Sequence, residues 1–378
     1  ALIAVLFIME AFKDIYKVFQ KNPVRDSYIL VTPGNDNGTN NTSLESYGRP
    51  NTALLHTVIL FSTFGIAIGL RLFQDTRYFS PPVRRLLNFF SIPLAVTVML
   101  IVCNLLDVYL NTVQLGKRGI NLSSPKKRTW LTNPNLGGKG LSWGMAVLAA
   151  FPALFVVIVI FIETEITVLM CYKETVSRKG SGFHTNLLVV AISIFICSIL
   201  GLPWMCLAAV ETSNHLDSLR VWTSYNIPGI KSRVEKVRQQ RVTLFFIGLF
   251  TGLFLYQPFR FGHIPIALLS GLTLYMGVVA TFGVQFFKRL ELMFMAPSQH
   301  PYIEYLDNVP LLKVHLFTVI QIIMIALLLV IKSIESISFI FPIFIMLMIP
   351  MRVLLGKYAF TPQEMEQLDN EQDDDHHH

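Results

Sequence analysis

Apolar residues in this chain gather into long runs that are apolar on every side, and polar loops separate one run from the next. Runs of about 20 such residues are typical of helices that cross a bilayer, whereas a helix of a soluble protein shows a single apolar stripe. The pattern predicts spans at 1–9 (continuing as a helix to Phe19), 53–74, 86–110, 143–171, 185–200, 241–258, 264–287, 311–331 and 337–355. We therefore expect an all-α polytopic membrane protein that is held in a lipid bilayer.

The composition agrees with this class and narrows the chemistry. Of the 378 residues, 53% are hydrophobic and 15% are charged, whereas soluble proteins carry about 25% charged residues. The net charge of +7 is modest and its basic residues lie in loops, so no nucleic-acid partner is predicted. No phosphate loop, metal-ligand cluster or nucleophile elbow is present in the sequence, so we expect neither an enzyme nor a cofactor or metal.

The cysteines carry no signal of a disulfide or a metal site. All four lie in apolar runs or at their ends, without the spacing of a ligand set, and we expect them to be small core residues. They are Cys103, Cys171, Cys197 and Cys206.

The loops indicate how the chain is oriented. Asn-x-Ser/Thr sites occur in the loops 20–51 and 111–142, and such sites are glycosylated only outside the cytosol. The candidate acceptors are Asn37, Asn40, Asn41 and Asn121. The loop that follows span 53–74 is basic and therefore cytoplasmic by the positive-inside rule, which places the two glycosylation loops on the outer side.

Two polar stretches are expected on the cytoplasmic side. The sequence IKSRVEKVRQQR at 230–241 predicts an amphipathic helix on the membrane surface. The end of the chain is acidic and is typical of a disordered segment. We therefore predict a transmembrane transport domain over 1–355 and an acidic cytoplasmic tail over 356–378.

Three features lie within the apolar runs themselves. The run 143–171 contains Glu163 and Glu165, and charge deep in hydrocarbon is costly unless it faces a polar cavity. The run 185–200 stops at Gly-Leu-Pro-Trp (201–204), and a short polar helix is predicted at about 210–223. The run 264–287 contains three glycines that would allow close helix packing, namely Gly271, Gly277 and Gly283.

A broken span followed by a half-helix is how many secondary transporters build an ion site in the middle of the membrane. The first turn of the half-helix offers unpaired N–H groups and the positive end of the helix dipole, which suit an anion. The residues predicted to line this ion pathway, besides Glu163 and Glu165, are Val210, Glu211, Thr212 and Ser213.

Several motifs resemble the bicarbonate transporter family, which includes the band 3 anion exchangers and the sodium bicarbonate cotransporters. They occur in order and with matching spacing over essentially the whole chain: PNTALL at 50–55, KGSGFH at 179–184, GLPW at 201–204, IPIALLSGLTLYMGV at 264–278 and HLFTVIQ at 315–321. The resemblance implies two inverted repeats of seven spans, with two half-helices that meet at a central anion site. It also implies that the chain is incomplete at its N-terminus, starting at the fifth span of the family.

The resemblance can be carried to single residues. Glu163, in FIETEIT, stands at the transport glutamate of the band 3 group, although a structural role for this buried acid stays open. Glu165 replaces the usual glutamine and points away from Glu163. Glu211 replaces an arginine of the band 3 group. A carboxylate at this position would repel an anion, pair with a cation or simply cap the helix. Lys17 matches a lysine of the inhibitor-reactive region, and Asp14 stands where another lysine would be.

The function implied by the resemblance is secondary transport of bicarbonate and related inorganic anions across the plasma membrane. FIETEIT favours exchange against chloride, whereas HLDSLR (215–220) and Pro310 are similar to the sodium-coupled cotransporters, so coupling to sodium or to protons stays open. A membrane anchor that transports nothing is a further alternative. The resemblance also implies a homodimer, and the LDNEQDDD tail is similar to a segment proposed to attract carbonic anhydrase, although a merely solvated tail is the simpler interpretation.

Overall fold

The computed structural model describes residues 1–22, 50–76, 78–105, 131, 143–174, 182–222, 234–238, 240–256, 264–282, 284–296, 299–300, 304–334, 336–337 and 340–369. The four predicted glycosylation sites, Gly283 and the end of the acidic tail (370–378) lie outside these residues. The chain divides into two compact units, which we describe separately. Unit 1 comprises Ala1–Arg118 and Gln257–Phe282, and unit 2 comprises Gly119–Tyr256 and Gly283–His378.

Helices dominate both units. In chain order the described helices are α1 (Leu2–Lys21), α2 (Pro50–Leu72), a 3₁₀ turn (Phe73–Asp75), α3 (Pro81–Phe89), α4 (Ser91–Leu105), α5 (Trp143–Glu174), α6 (Phe183–Ile199), α7 (Ala209–Leu219), α8 (Val242–Tyr256), α9 (Ile266–Val279), α10 (Gln285–Leu292), α11 (Glu304–Asn308), α12 (Leu311–Ser333), α13 (Phe341–Tyr358) and α14 (Pro362–Asp369). Two short strands, β1 (Arg220–Trp222) and β2 (Val234–Val237), complete the elements of the described residues. The prediction of a helical polytopic protein is confirmed.

The long apolar helices match the predicted spans closely. Among the described helices, four are long and apolar enough to cross a bilayer, and α3 with α4 forms a bent pair, at 63°, that would make a fifth. Helices α6, α8 and α9 are shorter apolar helices. The predicted span 264–287 is divided, because α9 ends at Val279 and a turn separates it from the amphipathic helix α10. The four long helices are Thr52–Leu72, Trp143–Tyr172, Leu311–Ser333 and Phe341–Tyr358.

Unit 1 is built around α9, which packs along both α1 and α2. Two glycines make this approach possible. A Cβ atom added at Gly271 would lie 2.7 Å from the carbonyl oxygen of Leu60 in α2, and one added at Gly277 would lie 2.9 Å from Cγ1 of Ile8 in α1. The predicted close packing at these two glycines is therefore confirmed.

In unit 2, α5 packs against α6, α7 and α13. Most of its apolar side chains are exposed, as expected of a helix whose outer face contacts lipid. A narrow stripe on one side of α5 is buried and carries the polar residues that we describe below.

The prediction of an amphipathic helix at 230–241 is wrong over 234–237. These residues form β2, which pairs antiparallel with β1 so that Arg220 lies opposite Val237 and Val221 opposite Lys236. β-Branched valines at 221, 234 and 237 favour the extended conformation. The same pairing ends the predicted half-helix at Leu219 instead of residue 223.

The tail also differs from the prediction of disorder, because its first part is folded. Thr361 and Glu364 form a capping box at the start of α14: the N–H of Thr361 donates to Glu364 Oε2 (2.9 Å), and the N–H of Glu364 donates to Thr361 Oγ1 (3.3 Å). Met365 and Leu368 then lie three residues apart on one face and are buried in a core that includes Phe360. Burial of these three apolar side chains is the reason for the order.

Candidate functional site

The acid Glu163 lies on the buried stripe of α5. The side chains of this stripe recur at helical spacing: Ile160, Thr164, Thr167 and Val168 are buried and Glu163 is half-buried. Thr167 Oγ1 donates a hydrogen bond of 2.8 Å to the backbone carbonyl of Glu163. The stripe therefore brings a carboxylate and two hydroxyl groups to the protein-facing side of a helix that is otherwise apolar.

Thr164 is the polar residue that sequence reasoning missed. It is fully buried, and its Oγ1 has no hydrogen-bond partner among the described residues. An unpaired buried hydroxyl costs about 1–3 kcal/mol, so a group in this state is well suited to donate to a ligand. Its position between the two acids of FIETEIT was the signal that could have identified it.

The break after α6 brings a thiol to Glu163. Helix α6 ends at Ile199, and Gly201 adopts a φ of 61°, in the left-handed region that favours glycine. Residues 202–208 are not helical, and the Cys206 thiol lies within hydrogen-bonding reach of the Glu163 carboxylate. The break at GLPW is therefore as predicted, and it ends beside the acid of α5.

The prediction that the cysteines are core residues holds for one of the four. Cys103 is buried, Cys171 and Cys197 are half-buried, and Cys206 is exposed. Cys206 lies in the non-helical break, where neither of the flanking helices covers it, which is the physical reason for the difference.

The half-helix α7 begins at Ala209, one residue from the predicted start, and packs against α5. The N–H of Thr212 donates to the carbonyl of Ala208 (3.0 Å), which closes the first turn. Within this turn Glu211 is exposed, whereas Thr212 and Ser213 are half-buried. The backbone N–H groups before Thr212 have no acceptor within the helix, so the start of α7 carries the positive end of the helix dipole.

The remaining predicted site residues lie elsewhere. Glu165 is half-buried, and at two positions from Glu163 it lies about 200° around α5, so the two carboxylates do not share a face. Lys17 is exposed on α1 of unit 1. Over the described ranges, no three His, Cys, Asp or Glu side chains come together in a way that could hold a metal ion.

Comparison with known proteins identifies the family. The family defined by the HCO3- transporter integral membrane domain matches residues 32–373. The chain belongs to the bicarbonate transporter family. Relatives in this family include anion exchange protein 2 of Equus caballus and of Homo sapiens, each 36% identical over 97% of this chain. Anion exchange protein 3 of Rattus norvegicus is 37% identical over 98% of it.

Membership of the bicarbonate transporter family confirms the resemblance found in the sequence and the class of the fold. The family consists of membrane transporters, not of enzymes, and the chain is a multi-pass protein of the plasma membrane. The chain spans 31% of the length of these relatives.

Proposed function

We propose that the protein moves bicarbonate and related inorganic anions across the plasma membrane by alternating access, in exchange for chloride. The observation that carries the proposal is the convergence, within unit 2, of the Glu163 carboxylate, the unpaired Thr164 hydroxyl and a broken span. The relatives named anion exchange proteins support the same choice of substrate.

In this proposal the start of α7 holds the anion. Backbone N–H groups near Val210 donate to it, and the aligned peptide dipoles of α7 add the equivalent of about half a positive charge. The hydroxyl groups of Thr212 and Ser213, both half-buried, add donors in the same turn. Such a site suits a small oxyanion or chloride, because it offers donors without a fixed cation that would hold the anion too tightly.

Glu163 sets the charge of the site. The Cys206 thiol lies within hydrogen-bonding reach of its carboxylate and is a weak donor, so the carboxylate stays open to a proton or a cation. Protonation of Glu163 would remove its repulsion of the anion, which couples anion binding to proton uptake. Thr164, one residue further along α5, donates its free hydroxyl to the anion or to the carboxylate.

Sodium-coupled bicarbonate transport is the second candidate. The observation that favours it is Glu211, an exposed carboxylate in the first turn of α7, which would attract a cation and repel an anion. In the exchange proposal, Glu211 is turned toward water, which agrees with its exposure.

The predicted partners and domains remain proposals. We propose a homodimer and a transport domain over 1–355, followed by the tail 356–378. For carbonic anhydrase, the first residue of the LDNEQDDD segment is not accessible, because Leu368 is 2% exposed in the core around α14. An enzyme that docks on this tail would therefore contact residues beyond Leu368.

The test uses the full-length protein in cells that contain an intracellular pH dye. Removal of external chloride in sodium-free bicarbonate buffer is expected to make the cytoplasm alkaline, because chloride leaves while bicarbonate enters. Alkalinisation that appears only with sodium would establish the cotransport alternative. The absence of any bicarbonate-dependent flux would favour a non-transporting anchor and contradict the proposal.

A further inference from the structure

A second polar cluster lies in unit 1, far along the chain from Glu163. It joins three helices: Asp14 of α1, His56 of α2 and Ser270 of α9. His56 Nε2 lies 3.3 Å from Asp14 Oδ2, and Ser270 Oγ donates a hydrogen bond to the same carboxylate oxygen. Ser270 is separated from Asp14 by 256 residues, so the fold alone brings these side chains together.

The cluster is enclosed by close helix packing. The His56 side chain is 3% exposed and Ser270 is 8% exposed, whereas Asp14 is 29% exposed and so keeps a route to water. Next to Ser270, Gly271 brings the backbone of α9 so near to α2 that no Cβ would fit beside Leu60. The imidazole is therefore fixed against the carboxylate and has little freedom to turn away.

The described part of the chain places few other charged or titratable groups near the cluster. On α1, Glu10 and Lys17 lie about one turn on either side of Asp14, and both are exposed. The next charged residue of α2 is Arg71, fifteen positions beyond His56. Helix α9 adds Tyr275, whose hydroxyl lies 3.5 Å from Ser91 Oγ, and α4 adds the buried thiol of Cys103. Among the described residues, the ion-pair partner of Asp14 is His56.

The contact between His56 and Asp14 has the right distance for a hydrogen bond, but His56 Nε2 makes none in this structure. When Nε2 carries no proton, its lone pair faces the carboxylate oxygen and is repelled by it. One proton on Nε2 changes this contact into a charge-assisted hydrogen bond between an imidazolium and a carboxylate.

We propose that Asp14, His56 and Ser270 form a proton-binding site in unit 1. In the unprotonated state the Ser270 hydroxyl holds the Asp14 carboxylate and His56 is neutral. On acidification one proton passes from water, along the exposed side of Asp14, to Nε2 of His56. The cluster then changes from a net charge of −1 to neutral, and an ion pair joins α1 to α2. The site adds a point of proton uptake that is separate from Glu163 and does not depend on which anion is moved.

The test detects the carboxylate directly. Full-length protein with ¹³C-labelled aspartate, purified in lipid nanodiscs, is titrated between about pH 5 and 8 while infrared spectra are recorded. We expect one aspartate carboxylate band to shift in a single one-proton step as the imidazolium forms. The shift should be lost in His56→Gln and retained in His300→Gln, which changes a half-buried histidine of unit 2 that takes no part in the cluster.

Ser270→Ala provides a second variant that keeps both the carboxylate and the imidazole. It should retain the step but start from a different band position, because the carboxylate has lost its hydroxyl donor; an unchanged starting position would contradict the contact. An aspartate band that ignores pH, or that shifts equally in His56→Gln, would overturn the proposal. A band shift produced by sodium at constant pH would also overturn the proposal, because it would show that the cluster binds a metal cation. None of these readings requires transport, so they are independent of the proposed exchange.

Discussion

Asp14 and Glu163 are acids of two different units, and their surroundings differ. Asp14, in unit 1, faces a histidine and accepts a hydrogen bond from a serine on a third helix. Glu163, in unit 2, has a thiol as its partner and lies next to an unpaired hydroxyl. Asp14 is already engaged by partners from two other helices, whereas the partners of Glu163 leave room for a ligand. We therefore assign to Asp14 a proton-binding role that is independent of the anion, and to Glu163 the anion pathway with its coupled proton.

The largest effect is expected from Glu163→Gln, which keeps the shape of the side chain and removes its charge. If Glu163 carries the coupled proton, chloride-driven bicarbonate flux should fall by more than about tenfold, which corresponds to about 1.4 kcal/mol. The measurement is the initial rate of alkalinisation on chloride removal, normalised to protein at the cell surface. Glu366→Gln, at an exposed acid of α14, is the control and should keep the wild-type rate. Equal rates for the two variants would show that Glu163 has no role in the flux and would contradict its assignment to the anion pathway.

A smaller loss of flux is expected from Thr164→Val, which replaces the unpaired hydroxyl by a methyl group of similar size. If this hydroxyl donates to the anion, the apparent affinity for bicarbonate should weaken by up to about tenfold. Thr318→Val is the matched control, because Thr318 is also fully buried but its hydroxyl already donates to the carbonyl of Val314 (2.9 Å). The measurement is the flux as a function of bicarbonate concentration for both variants. An unchanged apparent affinity in Thr164→Val would show that the Thr164 hydroxyl has no role in anion binding.

Stability should respond to the packing that encloses the cluster in unit 1. Gly271→Ala places a Cβ against the backbone of Leu60 and should destabilise the protein by about 1–3 kcal/mol. Gly65→Ala is the control on α2, because a Cβ there meets no atom within 4 Å. Alanine at that helical position should be neutral or stabilising by up to about 1 kcal/mol. Thermal unfolding of the purified protein in nanodiscs measures both, and equal melting temperatures would show that α9 and α2 are not held in close contact.

The smallest effect concerns the docking of α14. The Lys313 ammonium, 2.7 Å from both carboxylate oxygens of Glu364, and the backbone N–H of Thr361 lower the pKa of Glu364 below the usual glutamate value. Glu364 binds a proton more readily in the unfolded tail than in the docked tail. The stabilisation of the docked tail is therefore complete above the usual glutamate pKa. This stabilisation is lost as the pH falls through the lowered pKa of Glu364 in the docked tail.

Hydrogen exchange of residues 362–369, corrected for its intrinsic dependence on pH, measures this docking in the full-length protein. Protection should decrease on acidification below the usual glutamate pKa. In Glu364→Gln the protection should be weaker at neutral pH and should not change over the same acidic range. A wild-type protein that keeps full protection through this range would show that the Lys313–Glu364 pair does not hold the tail.

The sequence was sufficient for features that depend on neighbouring residues. Apolar runs located the long helices, Gly and Pro at 201–203 located the break, and the half-helix was predicted within one residue of its start. Contacts between distant segments were not accessible in this way. The pairing of Asp14 with His56 and Ser270, and that of Cys206 with Glu163, depend on how helices pack, and no local pattern encodes them. The capping box at Thr361 was readable, but the acidic composition of the tail concealed it.

The most direct test of the anion site uses Cys206 as a reporter, because this exposed thiol lies beside Glu163. Membranes that contain the full-length protein are treated with a small thiol reagent, and mass spectrometry follows the modification of Cys206 over time. If the anion binds between α5 and the start of α7, bicarbonate or chloride should slow the modification in a saturable way, while gluconate at the same concentration should not. Modification at the same rate in all three anions would contradict an anion site at this position.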